Sequence, residues 1–156
     1  YASERNGLNL DRLNPLKAFK YYNPSVGVVH GVDGANDRLF LAGGGEYANT
    51  VFYSENENFL YFPVNQQLIC GDASEPITAF EKLSDGRLAV FKEVSSLSHP
   101  SVYYIDGQTV SLGEGVEGNE YFADRFSVSS GTIAETGVSP RTTINYDGNS
   151  LFASIK

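Results

Sequence analysis

The chain has one cysteine, Cys70, no methionine and no tryptophan, and its two histidines, His30 and His99, lie far apart. A single cysteine excludes a disulfide framework within the chain. It sits in the apolar run Leu68-Ile69-Cys70, where a thiol serves as a small buried hydrophobe. Its acidic neighbours in sequence, Asp72 and Glu75, offer no base to activate it. Two isolated histidines leave little for general acid–base chemistry near neutral pH. Basic residues are also scarce: 11 Lys plus Arg stand against 19 Asp plus Glu, a formal net charge of −8. That sign opposes phosphate backbones and anionic lipid, and no Lys/Arg cluster is present, so neither nucleic acid nor a membrane is expected as a partner. No apolar run approaches the roughly 20 residues of a membrane helix, and no signal-peptide pattern opens the chain. With no methionine even at position 1, the 156 residues read as a segment excised from a longer protein.

Chemical motifs are equally sparse. There is no G-x-S-x-G elbow and no H-E-x-x-H pair. Gly43-Gly44-Gly45 is followed by Glu46-Tyr47, not by the Gly-Lys-Ser/Thr of a phosphate loop, so it reads as a turn. Asn145-Tyr146-Asp147-Gly148-Asn149 has oxygen side chains at its first, third and fifth places, as a calcium loop does. It has Ser150 where that loop needs glycine and Lys156 where it needs glutamate. Asp33-Gly34-Ala35-Asn36-Asp37 fails at its third place. Pairs such as Glu55 with Glu57 or Glu114 with Glu117 serve glycoside hydrolysis only if folding converges them, and nothing in the sequence does so. No catalytic, cofactor-binding or metal-ligating residue is assigned, and no cofactor is expected.

What the chain does have is glycine, 16 residues, and aromatics, 10 Tyr and 10 Phe, a composition of strands and turns. Three Asp-Gly dipeptides each precede a short apolar run: Asp33-Gly34 before Arg38 to Leu41, Asp85-Gly86 before Arg87 to Phe91, and Asp147-Gly148 before Ser150 to Ala153. Asp-Gly between apolar runs marks a β-hairpin, because glycine accepts the positive φ of a tight primed turn. Asp33 and Asp85 are 52 positions apart, Val51 and Val102 are 51 apart, and Asp147 follows Asp85 by 62. Several short strands recurring at such intervals are typical of propeller blades. The predicted fold is therefore all-β, with antiparallel hairpin repeats forming a partial β-propeller-like arrangement; a β-sandwich is the alternative. The extra length in the last interval is assigned to a mobile loop at Gly113 to Gly118. Residues 1–24, with Leu8, Leu10, Leu13, Leu16 and Phe19 interrupted by Pro15, read as an N-terminal arm or short helix, and 25–156 as the all-β domain.

One stretch is dense in aromatics, with Tyr53, Phe59, Tyr61 and Phe62 following Phe52. Exposed, these rings stack a sugar or anchor a protein partner; buried, they are core between sheets, which is the favoured reading. Tyr61, with a hydroxyl to satisfy, is the one expected nearest the surface.

The run Asn36-Asp37-Arg38-Leu39-Phe40-Leu41-Ala42-Gly43, then Glu46-Tyr47-Ala48-Asn49, Val51-Phe52-Tyr53-Ser54 and Tyr61-Phe62-Pro63, resembles a recurrent block in structural proteins of tailed bacteriophages and prophages. Gly71, Ile77 to Phe80, Val90-Phe91-Lys92-Glu93, Gly131 to Ile133, Gly137-Val138-Ser139 and Asn145 to Phe152 continue it, so that it covers roughly Gly31 to Ala153. The chain departs from the block where Ala48 replaces a proline and where Phe59-Leu60 replaces Pro-Thr. The resemblance implies a β-propeller-like virion component, similar to neck or tail stabilization proteins, made in the bacterial cytoplasm. It implies other virion proteins as partners, with homo-oligomers also expected. The matched positions are strands and turns, so no catalytic residue is implied. The rival reading is a carbohydrate-binding or glycan-cleaving propeller on a phage tail or bacterial surface, and a third is an enzyme whose site is split across absent segments.

Overall fold

The computed structural model describes residues 23–32, 35–63, 65–115, 118, 120–131, 144–146 and 149–151. The expected N-terminal arm or helix lies almost wholly outside them. The described residues are all-β, with a short 3-10 turn at Gly45–Tyr47 and no α-helix among them. Strands β1 (Val26–Val32), β2 (Ala35–Ala42), β3 (Thr50–Tyr53) and β4 (Gln67–Ile69) form one antiparallel sheet in chain order. Strands β5 (Ile77–Lys82), β6 (Leu88–Lys92), β7 (Val102–Glu114) and β8 (Glu120–Gly131) form a second sheet of the same plan. A third pair, β9 (Ile144–Tyr146) and β10 (Asn149–Leu151), is a lone hairpin.

Each Asp-Gly dipeptide lies between the first two strands of its unit. Asp33-Gly34 and Asp147-Gly148 are themselves outside the described residues, but the residues flanking them pair, Val32 with Ala35 and Tyr146 with Asn149. The Asp85-Gly86 turn differs from the expected two-residue form. Gly86 N–H donates to Leu83 O and Leu83 N–H donates to Arg87 O, with Gly86 at φ 87°, which is a three-residue loop closed by a glycine bulge.

Side chains alternate across both sheets as strand geometry requires. Phe40, Ala42 and Val51 of the first sheet meet Ile77, Phe80, Leu88, Val90 and Ile105 of the second in one core, with Cys70 among them. The other face of the first sheet gathers Leu41 and Phe52 under Phe62, and the far face of the second gathers Ala79, Ala89, Phe91 and Val102.

The hydrogen-bond ladders fix how the sheets face one another. Tyr53 N–H donates away from β2, to Gln66 O, and Ser54 N–H donates to Leu39 O, so Phe40 and Tyr53 form a non-hydrogen-bonded pair. Lys92 N–H donates to Ser101 O, so Phe91 and Val102 form the same kind of pair. In sheets built from L-residues with the same strand order, the kind of pair determines which face its side chains occupy. Phe40–Tyr53 and Phe91–Val102 therefore mark corresponding faces. Yet Phe40 points into the core between the sheets and Phe91 points to the far side of the second. The two sheets meet front to back, like successive pages. Contact between them runs through their first strands, β1 on β5, and β5 in turn touches β9.

The 62-residue interval is explained by strand extension. Only Val102 to Ile105 of β7 pair with β6; from Asp106 onward β7 pairs with β8 alone. The resulting arm carries Gly113 and Glu114 at the end of β7, within the stretch assigned from sequence to a mobile loop. Tyr121 to Ala123 and Arg125 to Val128, two strand signals in the sequence, are one strand.

Candidate functional site

Arg38 is the second sequence feature, after the hairpins, that the fold turns to use. It lies on β2, on the face toward the second sheet, and is 6% exposed. Its Nη1 donates to Ser54 O at 2.8 Å, while Nε and Nη2 donate to Asp124 Oδ2 at 3.2 and 2.8 Å. Asp124 is on β8, in the arm, and its Oδ1 accepts from Thr109 Oγ1 at 2.8 Å. The guanidinium carbon stands 5.8 Å from the ring centres of both Tyr53 and Phe126, and those rings are 4.7 Å apart, edge to face. Phe126 also meets Phe40 edge-on. The arm is thus fastened to the first sheet by an aromatic contact and a buried ion pair. Burial pushes the Tyr53 hydroxyl pKa up, more than the neighbouring Arg38 charge lowers it.

Beside this junction lies a cavity of about 360 Å³ lined by Arg38, Glu55, Asn56, Gln66, Thr109, Ala123 and Asp124. Gln66 donates from Nε2 to Glu55 Oε1, and its Oε1 is buried without a partner. Among the described lining residues all but Ala123 carry polar or charged side chains, and none is aromatic.

A second cluster grips the link between the sheets. Lys92, with no exposed surface, donates from Nζ to Cys70 O at 2.6 Å and Asp72 O at 3.0 Å; Asn49 Nδ2 donates to Gly71 O at 2.6 Å. Three successive carbonyls are thereby each taken by a side chain. Burial lowers the Lys92 pKa against the pull of Glu75, Cys70 and Asp72. Burial pushes the Cys70 thiol up to about 12, which leaves it inert.

Glu75, Ser95 and His99 also meet, but not as a nucleophilic relay. Glu75 Oε1 accepts from Ser95 N–H, from Ser95 Oγ and from His99 Nδ1, at 2.9, 2.8 and 2.7 Å. In a triad the carboxylate holds one ring nitrogen and the hydroxyl faces the other. Here Ser95 Oγ and Glu75 share Nδ1. His30 is structural: its Nε2 bonds Gly86 O at 2.8 Å, tying β1 to the β5–β6 turn. No group of three or more metal-ligating side chains occurs among the described residues.

The aromatic stretch is divided by the fold. Tyr53 is half-buried beneath the arm, Phe62 is 1% exposed in the core, Tyr61 is half-buried and Phe59 is exposed beside exposed Leu60. Phe62 therefore cannot belong to a glycan- or partner-binding surface with the others, because it caps Leu41 and Phe52. Arg38, Asp124, Lys92, Asn49 and Glu75 were not singled out from sequence for these roles. Phe-Lys-Glu at residues 91–93 gave a signal only through the resemblance.

Comparison with known proteins returns no matching family model, no matching curated protein and no matching solved structure.

Proposed function

We propose that this chain is a non-enzymatic structural and interaction module of a phage or prophage virion, in its neck or tail, built on propeller-like stacked units. The observation that carries the reading is the front-to-back stacking of two four-stranded sheets of identical order, with a third hairpin touching the first strand of the second. Radial and stacked β architectures repeat in this sense, each unit covering its neighbour. The titratable clusters described are spent on holding elements together: Arg38–Asp124 on the arm, Lys92 on the linker, Glu75–His99 on the β6–β7 loop. The residues that carry the phage resemblance have the same character, since Arg38, Asn49, Ser54, Phe62 and Lys92 all make buried structural contacts. Mass spectrometry of purified particles, or of particles from an induced prophage, tests the assignment: the protein is expected among the particle components, and its absence there overturns it.

A second reading, carbohydrate binding, is favoured by the polar cavity at the arm junction and not by the aromatic stretch. A glycan array with a hydrolysis assay decides it. Binding lost on Gln66→Leu supports it; an empty array with no turnover removes it.

A further inference from the structure

The cavity at the arm junction takes its walls from two sheets. Glu55, Asn56 and Gln66 come from the β3–β4 loop of the first, Thr109 and Asp124 from the arm of the second, and Arg38 joins them. The loop side is held by its main chain. Glu55 N–H donates to Tyr61 O at 2.8 Å, and Glu55 O accepts from Ser54 Oγ at 2.9 Å. Gln66 N–H donates to Pro63 O at 2.9 Å, and Gln66 O accepts from Tyr53 N–H at 3.2 Å. Both side chains therefore leave anchored backbone, and they meet each other, Gln66 Nε2 on Glu55 Oε1.

Most of the polar capacity of the walls is spent internally. Asp124 uses Oδ2 on Arg38 and Oδ1 on Thr109, and its charge compensates that of Arg38. Two acceptors are left over. Glu55 has no ion-pair partner among the described residues, and Gln66 Oε1 is buried without a donor. A buried oxygen in that condition is costly until a donor reaches it. A ligand that suits these walls donates hydrogen bonds from two neighbouring atoms and carries no negative charge, which the Glu55 carboxylate would repel. It is also small, because about 360 Å³ is near the lower end of the roughly 300–1,000 Å³ typical of ligand cavities.

We propose that this cavity binds one terminal, uncharged sugar ring through a pair of neighbouring hydroxyls that donate to Glu55 and Gln66, and that it rejects acidic sugars. With no aromatic residue among the described lining, the ring is held by hydrogen bonds at its edge and not by stacking. Because the walls belong to different sheets, the bound sugar bridges the β3–β4 loop and the arm.

The site deepens the carbohydrate reading and rests on it. Isothermal titration calorimetry and thermal melting of the full chain test it. The neutral probes are the methyl glycosides of glucose, galactose and mannose; methyl glucuronide is the acidic probe, and n-butylammonium chloride is a donor that is not a sugar. At least one neutral glycoside is expected to bind and to raise the melting temperature by mass action. Methyl glucuronide is expected to bind at least about tenfold more weakly, since its charge faces Glu55. Glu55→Gln keeps the size of the side chain and removes its charge. It is expected to weaken the neutral glycoside by about tenfold or more, because a hydrogen bond to a charged acceptor is lost, and to narrow the preference over glucuronide. Near-UV circular dichroism checks the fold of the variant. Amide hydrogen exchange of the wild type gives a second readout that needs no substitution: bound sugar is expected to slow exchange in both the β3–β4 loop and the arm. Sugar binding that protects neither segment, or that Glu55→Gln leaves unchanged, overturns the site and leaves the carbohydrate reading standing. Glucuronide bound as tightly as the neutral glycosides overturns the rejection of acidic sugars. Array hits on longer saccharides with no single glycoside bound overturn the one-ring site alone. Butylammonium binding without glycoside binding overturns the sugar assignment, and an empty array beside it removes the carbohydrate reading as well.

Discussion

Arg38 and Asp124 are 86 residues apart in the chain and 2.8 Å apart in space, and their side chains are 8% and 4% exposed. The pair joins the first sheet to an arm that belongs to the second. Removing one partner leaves a buried charge uncompensated, which costs about 3–5 kcal/mol, whereas replacing both with apolar groups of similar shape is far milder. Arg38→Met is therefore expected to be strongly destabilising, and Arg38→Met with Asp124→Leu to recover much of the loss. Urea denaturation of the two single variants and the double variant measures it; additive losses contradict the coupling.

Lys92 and Asn49 together satisfy the carbonyls of Cys70, Gly71 and Asp72. Lys92→Met leaves two of these carbonyls without a donor, at roughly 1–3 kcal/mol each. Asn49→Ala leaves the third. Because the three bonds hold one short segment, the double variant is expected to lose less than the sum of the singles. The same denaturation experiment, run as a double-mutant cycle, reads the coupling.

Two glycines with positive φ are expected to respond differently to alanine. Gly86, at φ 87°, has open space where a Cβ would stand, so Gly86→Ala costs only the backbone term, about 1–2 kcal/mol. Gly71, at φ 70°, has the Tyr103 hydroxyl and Lys92 Nζ against that position. Gly71→Ala adds a collision inside the linker and is expected to be clearly the worse of the two by thermal melting. Equal shifts in melting temperature contradict the packing described around Lys92.

Acid should weaken the β6–β7 loop through Glu75. Burial alone would raise its pKa, but the bonds from His99 and Ser95 outweigh burial and bring it down to about 2, from an ordinary 4.5. A carboxyl with a depressed folded pKa contributes stability that is present above its unfolded value and is lost as pH falls through the folded one. The denaturation midpoint is expected to fall between about pH 4.5 and about pH 2. Glu75→Gln should lower stability near neutrality and flatten that acid limb. A variant with the wild-type acid profile excludes Glu75 as its source.

Much of the strand plan was legible in the residues. Thr50 to Tyr53 reads as a strand because β-branched and aromatic residues fill it, Leu88 to Phe91 because it is a short apolar run after a turn, and each Asp-Gly marks the first turn of a unit. The aromatic stretch was harder to place. Phe59 and Phe62 have the same side chain and stand three residues apart, yet one is exposed and the other buried, because the β3–β4 loop folds Phe62 onto Leu41 and Phe52. Gly113 and Glu114 carry turn chemistry but sit at the end of a paired strand, because β8 continues beside β7 beyond the edge of β6.

Local alternation and turn chemistry, which depend on residues a few positions apart, determined by themselves that the protein is all-β and where its hairpins turn. Tertiary structure alone decided that the sheets stack front to back, that Asp124 on a distant strand neutralises Arg38, and that Lys92 closes around the linker. Those relations depend on which faces meet across some 20 to 90 positions of chain, and no local pattern encodes a partner at that distance.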